Sequence, residues 1–373
     1  MKKKFLLVFG TRPEAIKLAP LFFELKNNFK FFDVKICLTS QHKQMLYPIM
    51  DFFGIKSDFD LRIMKKNQTL FDVTSRVLIG MDNVLRKYSP DVVIVQGDTT
   101  SALVGALAAF YKKIKVAHLE AGLRTHNKYS PFPEEINRIL VSRLADYNFA
   151  PTALAVKNLQ SEGVRKNTWM VGNTVIDSLF LTLNKIKKGH LDSKFIKNFT
   201  NIDFSKKIIL VTGHRRENFG RPLNNICKAL KELAIKYPGL EIIYPVHLNP
   251  NVSAPVNKIL GKINNIHLIK PLDYPEFVWL MNKSYLIITD SGGVQEEAPA
   301  LGKPVLVTRE VTERPEGIKA GTAKLVGNDK YTIIKEVTKL LNNKDYYSSI
   351  SRAVNPYGDG LSSQKVVKIL KNN

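Results

Sequence analysis

Short apolar runs alternate with helix-length amphipathic stretches along nearly the whole chain, and several of the runs end in a small polar cluster. Runs of this kind read as strands of a parallel sheet covered by helices on both faces, because a strand buried on both sides has no polar face to alternate. Strands are predicted at 4–9, 34–39, 91–96, 115–119 and 147–150, and helices at 13–27, 70–88, 100–111 and 133–144. Pro13 and Pro133 suit a first helical turn. After the stretch 173–188 and a polar segment to Lys207, the same grammar restarts. Strands at 208–212, 241–246, 266–269, 285–289 and 304–308 alternate with helices at 222–237, 274–282 and 293–301. At 373 residues the chain exceeds what one core supports. The expectation is an α/β protein of two Rossmann-like domains facing a central cleft, divided near Gly172.

Ligands of doubly wound sheets bind beyond the carboxyl ends of the strands. The polar clusters fall at such ends: Gly10-Thr11-Arg12, Gly97-Asp98-Thr99, Glu120-Ala121-Gly122, Gly213-His214-Arg215 and Asp290-Ser291-Gly292. Around Ser291, Gly292 and Gly293 a strand hands over to a helix, so free amides and the helix dipole favour an anion such as phosphate. Glu296 and Glu297 follow one turn later, placed to accept from a ribose diol or to complement the dipole. Arg12 and Lys17 follow another such turn, but the GxGxxG and GxxxxGK[ST] spacings are absent, so neither NAD nor ATP is indicated. Asp98, Glu120 and Glu134 stand at strand ends or a helix start, where burial raises a carboxyl pKa and a neighbouring arginine lowers it. Such a group can divide into an acid and a base. Glu134 and Arg138 also have the i, i+4 spacing of an ordinary helix ion pair. His214, between a glycine and two arginines, is the strongest single candidate for a group beside phosphate.

The formal charge of +23 is the footprint expected of a nucleic-acid binder. The lysines are spread through every segment without a zinc-finger, RNP or basic-zipper pattern, so a solvated surface is the plainer reading and no nucleic-acid partner is expected. No apolar run reaches the roughly 20 residues of a membrane helix. Cys37 and Cys227 lack metal-ligand spacing, which points to neither zinc nor a disulfide framework. A cytoplasmic protein with no metal and no membrane partner is expected.

The segments GTRPEAIKLAP, QGDTTSA, HLEAGLRT, SPFPEEINR, GNTVID, TGHRREN, PVHLNPNV, TDSGGVQEEAP and TERPEG resemble, in order and from end to end, the bacterial non-hydrolysing UDP-N-acetylglucosamine 2-epimerases. The resemblance implies a glycosyltransferase-B-like fold, with domains at 1–171 and 172–358 and a final helix within 359–373 that returns to the first domain. It implies a cytoplasmic homodimer that needs no cofactor and interconverts UDP-N-acetylglucosamine and UDP-N-acetylmannosamine for cell-surface polysaccharide. Carried over position by position, Asp98, Glu120 and Glu134 become the acid and base carboxylates, with His214 near the diphosphate. Arg12, Lys17, Arg138, Phe277, Ser291, Gly292, Gly293, Glu297 and Arg314 become substrate-binding residues. Gln41, His42, Gln44, Gln68, Arg215 and His247 resemble the region where a second substrate molecule acts as allosteric activator. The competing readings are a glycosyltransferase of the same fold, which needs an acceptor, and a hydrolysing relative, which releases free sugar.

Overall fold

The computed structural model describes residues 2–40, 43–65 and 67–373. The chain divides into two compact units, one of Met1–Ser178 with Tyr357–Asn373 and one of Leu179–Pro356. The first unit therefore runs past Gly172, the expected dividing point, because the helix Thr174–Lys188 begins inside it.

In the first unit the strands are β1 (Lys3–Phe9), β2 (Phe32–Leu38), β3 (Phe59–Asp60), β4 (Val92–Gln96), β5 (Lys115–Leu119), β6 (Tyr147–Ala150) and β7 (Thr168–Met170). They form one sheet in the order β3-β2-β1-β4-β5-β6-β7, parallel throughout. Phe5, in the central strand, faces Val34 on one side and Val92 on the other. Such a strand is buried on both faces, which is why its sequence reads as an unbroken apolar run. The winding direction reverses between β1 and β4, so a crevice opens beyond their carboxyl ends. The helix Thr100–Tyr111 lies close on the sheet because its inner face is small. A Cβ at Gly105 would stand only 3.2 Å from Val8 Cγ1.

The second unit repeats the plan with β8 (Lys207–Thr212), β9 (Leu240–Pro245), β10 (Ile266–Ile269), β11 (Leu286–Thr289), β12 (Val305–Val307) and β13 (Ala323–Leu325). Their order is β10-β9-β8-β11-β12-β13, again parallel, so the reversal falls between β8 and β11. The helix Arg221–Lys236 buries Leu223, Ile226, Leu230 and Leu233 against Ile209, Val211 and Ile242.

The chain ends in the first unit. The helix Ser362–Asn372 packs on the helix Arg12–Asn27, and Lys3 Nζ donates to the Leu370 carbonyl at 3.3 Å. Buried Asp177 accepts the amides of Ser362 at 3.2 Å and Ser363 at 2.7 Å, satisfying the first donors of that helix from outside it. No helix among the described residues is long and apolar enough to cross a membrane.

Candidate active site

At the switch point of the first unit, buried Glu14 ties the two turns together. It accepts the amides of Gly10 at 3.0 Å and Thr11 at 2.8 Å, and the hydroxyls of Thr11 at 2.7 Å and Thr99 at 2.6 Å. Burial pushes its carboxyl up, against those four hydrogen bonds. Sequence reasoning did not select this residue, although its position three after Thr11 is that of a capping-box acid.

Glu120 follows β5 directly, with its backbone in the left-handed region at φ 63. That conformation costs a non-glycine residue about 1 kcal/mol or more, and here it delivers the carboxylate into a ring of donors. Lys17 Nζ stands 2.7 Å from Oε1 and 2.6 Å from Oε2. Asn173 Nδ2 donates to Oε1 at 3.1 Å, and Gln96 Nε2 donates to Oε2. A Cβ at Gly97, itself at φ +68, would be 3.5 Å from Oε2, so the glycine serves both the turn and the approach of the carboxylate.

Asp98 is half-buried and paired with Arg138 Nη2. Burial pushes its carboxyl above the ordinary range; the Arg138 guanidinium opposes this, the Glu120 charge adds to it, and Lys17 opposes it. Arg138 also reaches buried Glu135 at 3.2 Å, and Asn137 holds the Asp98 carbonyl at 2.9 Å. The i, i+4 ion pair that the spacing offers as the plainer alternative is thus not formed. Arg138 turns inward to Asp98 and Glu135, and the side chain of Glu134, at the first position of the helix Glu134–Leu144, makes no hydrogen bond or ion pair among the described residues. Arg12 makes none either. Behind this group His118 is wholly buried, with Nε2 donating to the Gly97 carbonyl at 2.8 Å and Nδ1 3.2 Å from Ser142 Oγ. Burial pushes its pKa down to about 4, so the ring is neutral.

In the second unit Asp290, wholly buried after β11, organises the turn that follows β8. Its Oδ2 accepts the amides of His214 and Arg215, each at 2.9 Å, and Asn218 Nδ2 at 3.1 Å. The His214 ring stacks on His247 at 6.0 Å between centroids, with Nδ1 3.3 Å from Asp290 Oδ1. Burial pulls the His214 pKa down, and the Asp290 charge opposes that shift. Beside this turn the helix Gly292–Ala300 begins, with Ser291 as N-cap and no cap bond from its hydroxyl. Arg314 is anchored by buried Glu296, and a Cβ at Gly292 would meet Arg314 Cζ and Nη2 at 3.9 Å and Arg215 Nη2 at 4.0 Å. Free helix amides and two guanidinium groups therefore converge on one spot, an arrangement suited to a multiply charged anion such as a diphosphate. Glu297 is buried, with Oε1 3.8 Å from where a Gly293 Cβ would stand and the Tyr274 hydroxyl beside it.

The UDP-N-acetylglucosamine 2-epimerase family model matches residues 24–371. The chain is 54% identical to the UDP-N-acetylglucosamine 2-epimerase of Campylobacter jejuni, over 100% of this chain and 99% of the relative. The chain belongs to this family. Among solved structures, the Neisseria meningitidis UDP-GlcNAc 2-epimerase bound to UDP-GlcNAc superposes with a TM-score of 0.90 at 48% identity, covering 99% of this chain and 100% of that one. The Methanocaldococcus jannaschii enzyme in complex with UDP-GlcNAc and UDP superposes at 0.79 and 36%, covering 99% and 100%. The epimerase family is a family of isomerases, and the two parallel-sheet domains are those of its glycosyltransferase-B-like fold.

Not every predicted residue of this epimerase joins the clusters above. Phe277 is half-buried on the helix Tyr274–Lys283 and makes no ring contact among the described residues. Gln41, His42 and the side chain of Gln44 lie outside the described residues. Gln68 accepts the Lys65 amide at 3.1 Å in the first unit, while His247 and Arg215 belong to the second. Arg215, expected in an activator region, stands beside Gly292. Gln96, Asn173, His118, Glu14 and Asp290 are polar groups of these clusters that sequence reasoning did not select. The legible signal for the first three was their place in the motifs QGDTTSA, GNTVID and HLEAGLRT.

Proposed function

We propose that this epimerase reversibly converts UDP-N-acetylglucosamine to UDP-N-acetylmannosamine by eliminating and re-adding UDP. The proton on carbon 2 of the sugar is not next to a carbonyl, so its removal needs a departing group. A carboxylate takes that proton while the bond from carbon 1 to the β-phosphate oxygen breaks. The C–H electron pair becomes the carbon 1–carbon 2 double bond of a 2-acetamidoglucal, and the C–O pair leaves with UDP. On return, the UDP oxygen attacks carbon 1 and a carboxyl group delivers a proton to the opposite face of carbon 2.

The observation that carries the reading is the contrast between Asp98 and Glu120. One carboxyl is pushed up by burial, the other is held by an ammonium and two amides, and such a contrast suits a site that needs acid and base at once. Glu134, without an internal partner, is the third acid–base carboxylate in this proposal. Arg215, Arg314, His214 and the amides after Ser291 hold the diphosphate, and Arg12, Lys17, Arg138, Phe277, Gly293 and Glu297 complete substrate binding. The relatives solved with UDP-GlcNAc, and with UDP-GlcNAc and UDP, support the ligand class.

We further propose that the protein works as a cytoplasmic homodimer feeding polysaccharide synthesis. Its free buried cysteines suit a reducing compartment. A second substrate molecule acts as activator through Gln41, His42, Gln44, Gln68, Arg215 and His247. The test is incubation with UDP-N-acetylglucosamine in heavy water, with no acceptor. UDP-N-acetylmannosamine carrying deuterium at carbon 2 is expected. Free UDP and free sugar in its place overturn the proposal in favour of hydrolysis, and turnover only with an acceptor overturns it in favour of transfer.

A further inference from the structure

Gln96 and Asn173 are neutral donors to Glu120 besides Lys17, and Asn173 does not come from the sheet. Asn173 lies at the start of the helix Thr174–Lys188 and is 3% exposed. Its Oδ1 accepts the Val175 amide at 3.1 Å. A backbone amide can only donate, so Oδ1 is fixed as the oxygen and Nδ2 is left to point at Glu120 Oε1, which it meets at 3.1 Å. The backbone is equally held: the Asn173 amide donates to the Tyr357 carbonyl at 2.6 Å, and its carbonyl accepts from Ile176 at 3.1 Å. Gly172, just before it, is at φ +92, and a Cβ there would stand 2.6 Å from Ser362 Oγ and 3.3 Å from Gly358 Cα. The returning C-terminal segment thus fixes where Asn173 sits.

The donors to Glu120 are divided between its oxygens. Oε2 has Gln96 and Lys17, and Oε1 has Asn173 and Lys17. Lys17 reaches both oxygens and so supplies charge without choosing an orientation. The two amides act on different oxygens, and together they fix the plane of the carboxylate and hence the direction of the lone pair that handles a proton.

We propose that Asn173 is a positioning residue for Glu120, setting the orientation of its carboxylate for proton transfer. This rests on the reading of Glu120 as one of the acid–base carboxylates. Asn173→Asp removes the donor while leaving the helix contact: the new carboxylate still accepts from Val175 and keeps the size of the side chain, but it cannot donate and places a negative charge against Glu120. Asn173→Ala removes the helix contact as well.

The experiment measures kcat and KM for UDP-N-acetylglucosamine, with deuterium entry at carbon 2, and Tm for wild type and both variants. Wild-type deuterium entry tests the epimerase reading by itself. The expected result is a fall in kcat of at least about tenfold in both variants, with KM changed by less than about threefold. Asn173→Asp should lose at least as much kcat as Asn173→Ala, and its Tm should fall too, because the second buried carboxylate repels Glu120. Wild-type kcat in Asn173→Asp, or a loss confined to KM, overturns the inference and leaves Asn173 as a helix cap.

Discussion

Lys17 and Glu120 lie 103 residues apart in the chain and meet at 2.6 Å, the lysine one turn into the helix after β1 and the glutamate at the end of β5. The glutamate side chain is only 7% exposed, so the ammonium is its main charge compensation. Lys17→Met should therefore lower turnover by about 100-fold or more, and Glu120→Gln by as much. Measuring kcat by NMR for both variants checks this; near-normal rates would remove the pair from the chemistry.

The His118 ring predicts how stability responds to acid. Its folded pKa is depressed from 6.5 to about 4, so below pH 6.5 the unfolded chain binds a proton that the folded protein refuses. The stabilisation is fully present above pH 6.5 and is lost as pH falls towards 4, reaching about 3 kcal/mol. His118→Gln should flatten the Tm-against-pH curve in that window relative to wild type. Parallel curves would show that another group carries the acid sensitivity.

Gly292 offers a test of the anion site that leaves the fold alone. A methyl group there meets Arg314 and Arg215 at ordinary van der Waals distance, and alanine favours the helix. Yet it fills the point on which the guanidinium groups converge. Gly292→Ala should keep or raise Tm while weakening UDP binding by about tenfold or more, or about 1.4 kcal/mol. Titration calorimetry with UDP reads this directly, and unchanged affinity would place the diphosphate elsewhere.

Asp290 is predicted to matter more to the shape of its turn than to charge. One oxygen holds two backbone amides and the Asn218 side chain in a fully buried place. Asp290→Ala leaves three donors without their acceptor and should destabilise the protein by about 3 kcal/mol, visible in urea unfolding. A loss below about 1 kcal/mol would mean that the turn is held by its other contacts.

The central strands and their helices were legible in the sequence because strands buried on both faces must be continuously apolar; β5 and β6 begin and end where the runs do. Edge strands β3, β7 and β13 were not, since two or three residues carry no period. Helices Lys43–Phe53 and Pro250–Leu260 contain Pro48 and Pro255, residues that read as breakers. In the site, Asp98, Glu120, His214 and the Ser291 turn stood out as polar groups at strand ends. Asn173 and Gln96 did not, because an amide declares its partner only when the fold supplies one. The inward turn of Arg138 was equally hidden, since spacing along a helix shows the neighbour in sequence and not the one across the sheet.

The return of residues 357–373 to the first unit also bears on how the protein is made. The second unit is one continuous stretch, Leu179–Pro356, and can complete its core as soon as it has emerged from the ribosome. The first unit, although synthesised earlier, waits for its last helix. Its Lys3 meets Leu370 across 367 residues, and until then Asp177 has no helix to cap and Asn173 no Tyr357 carbonyl to hold it. The order of synthesis and the order of completion are therefore opposite, and a nascent chain stalled before residue 357 would hold a finished second unit behind an unfinished first one.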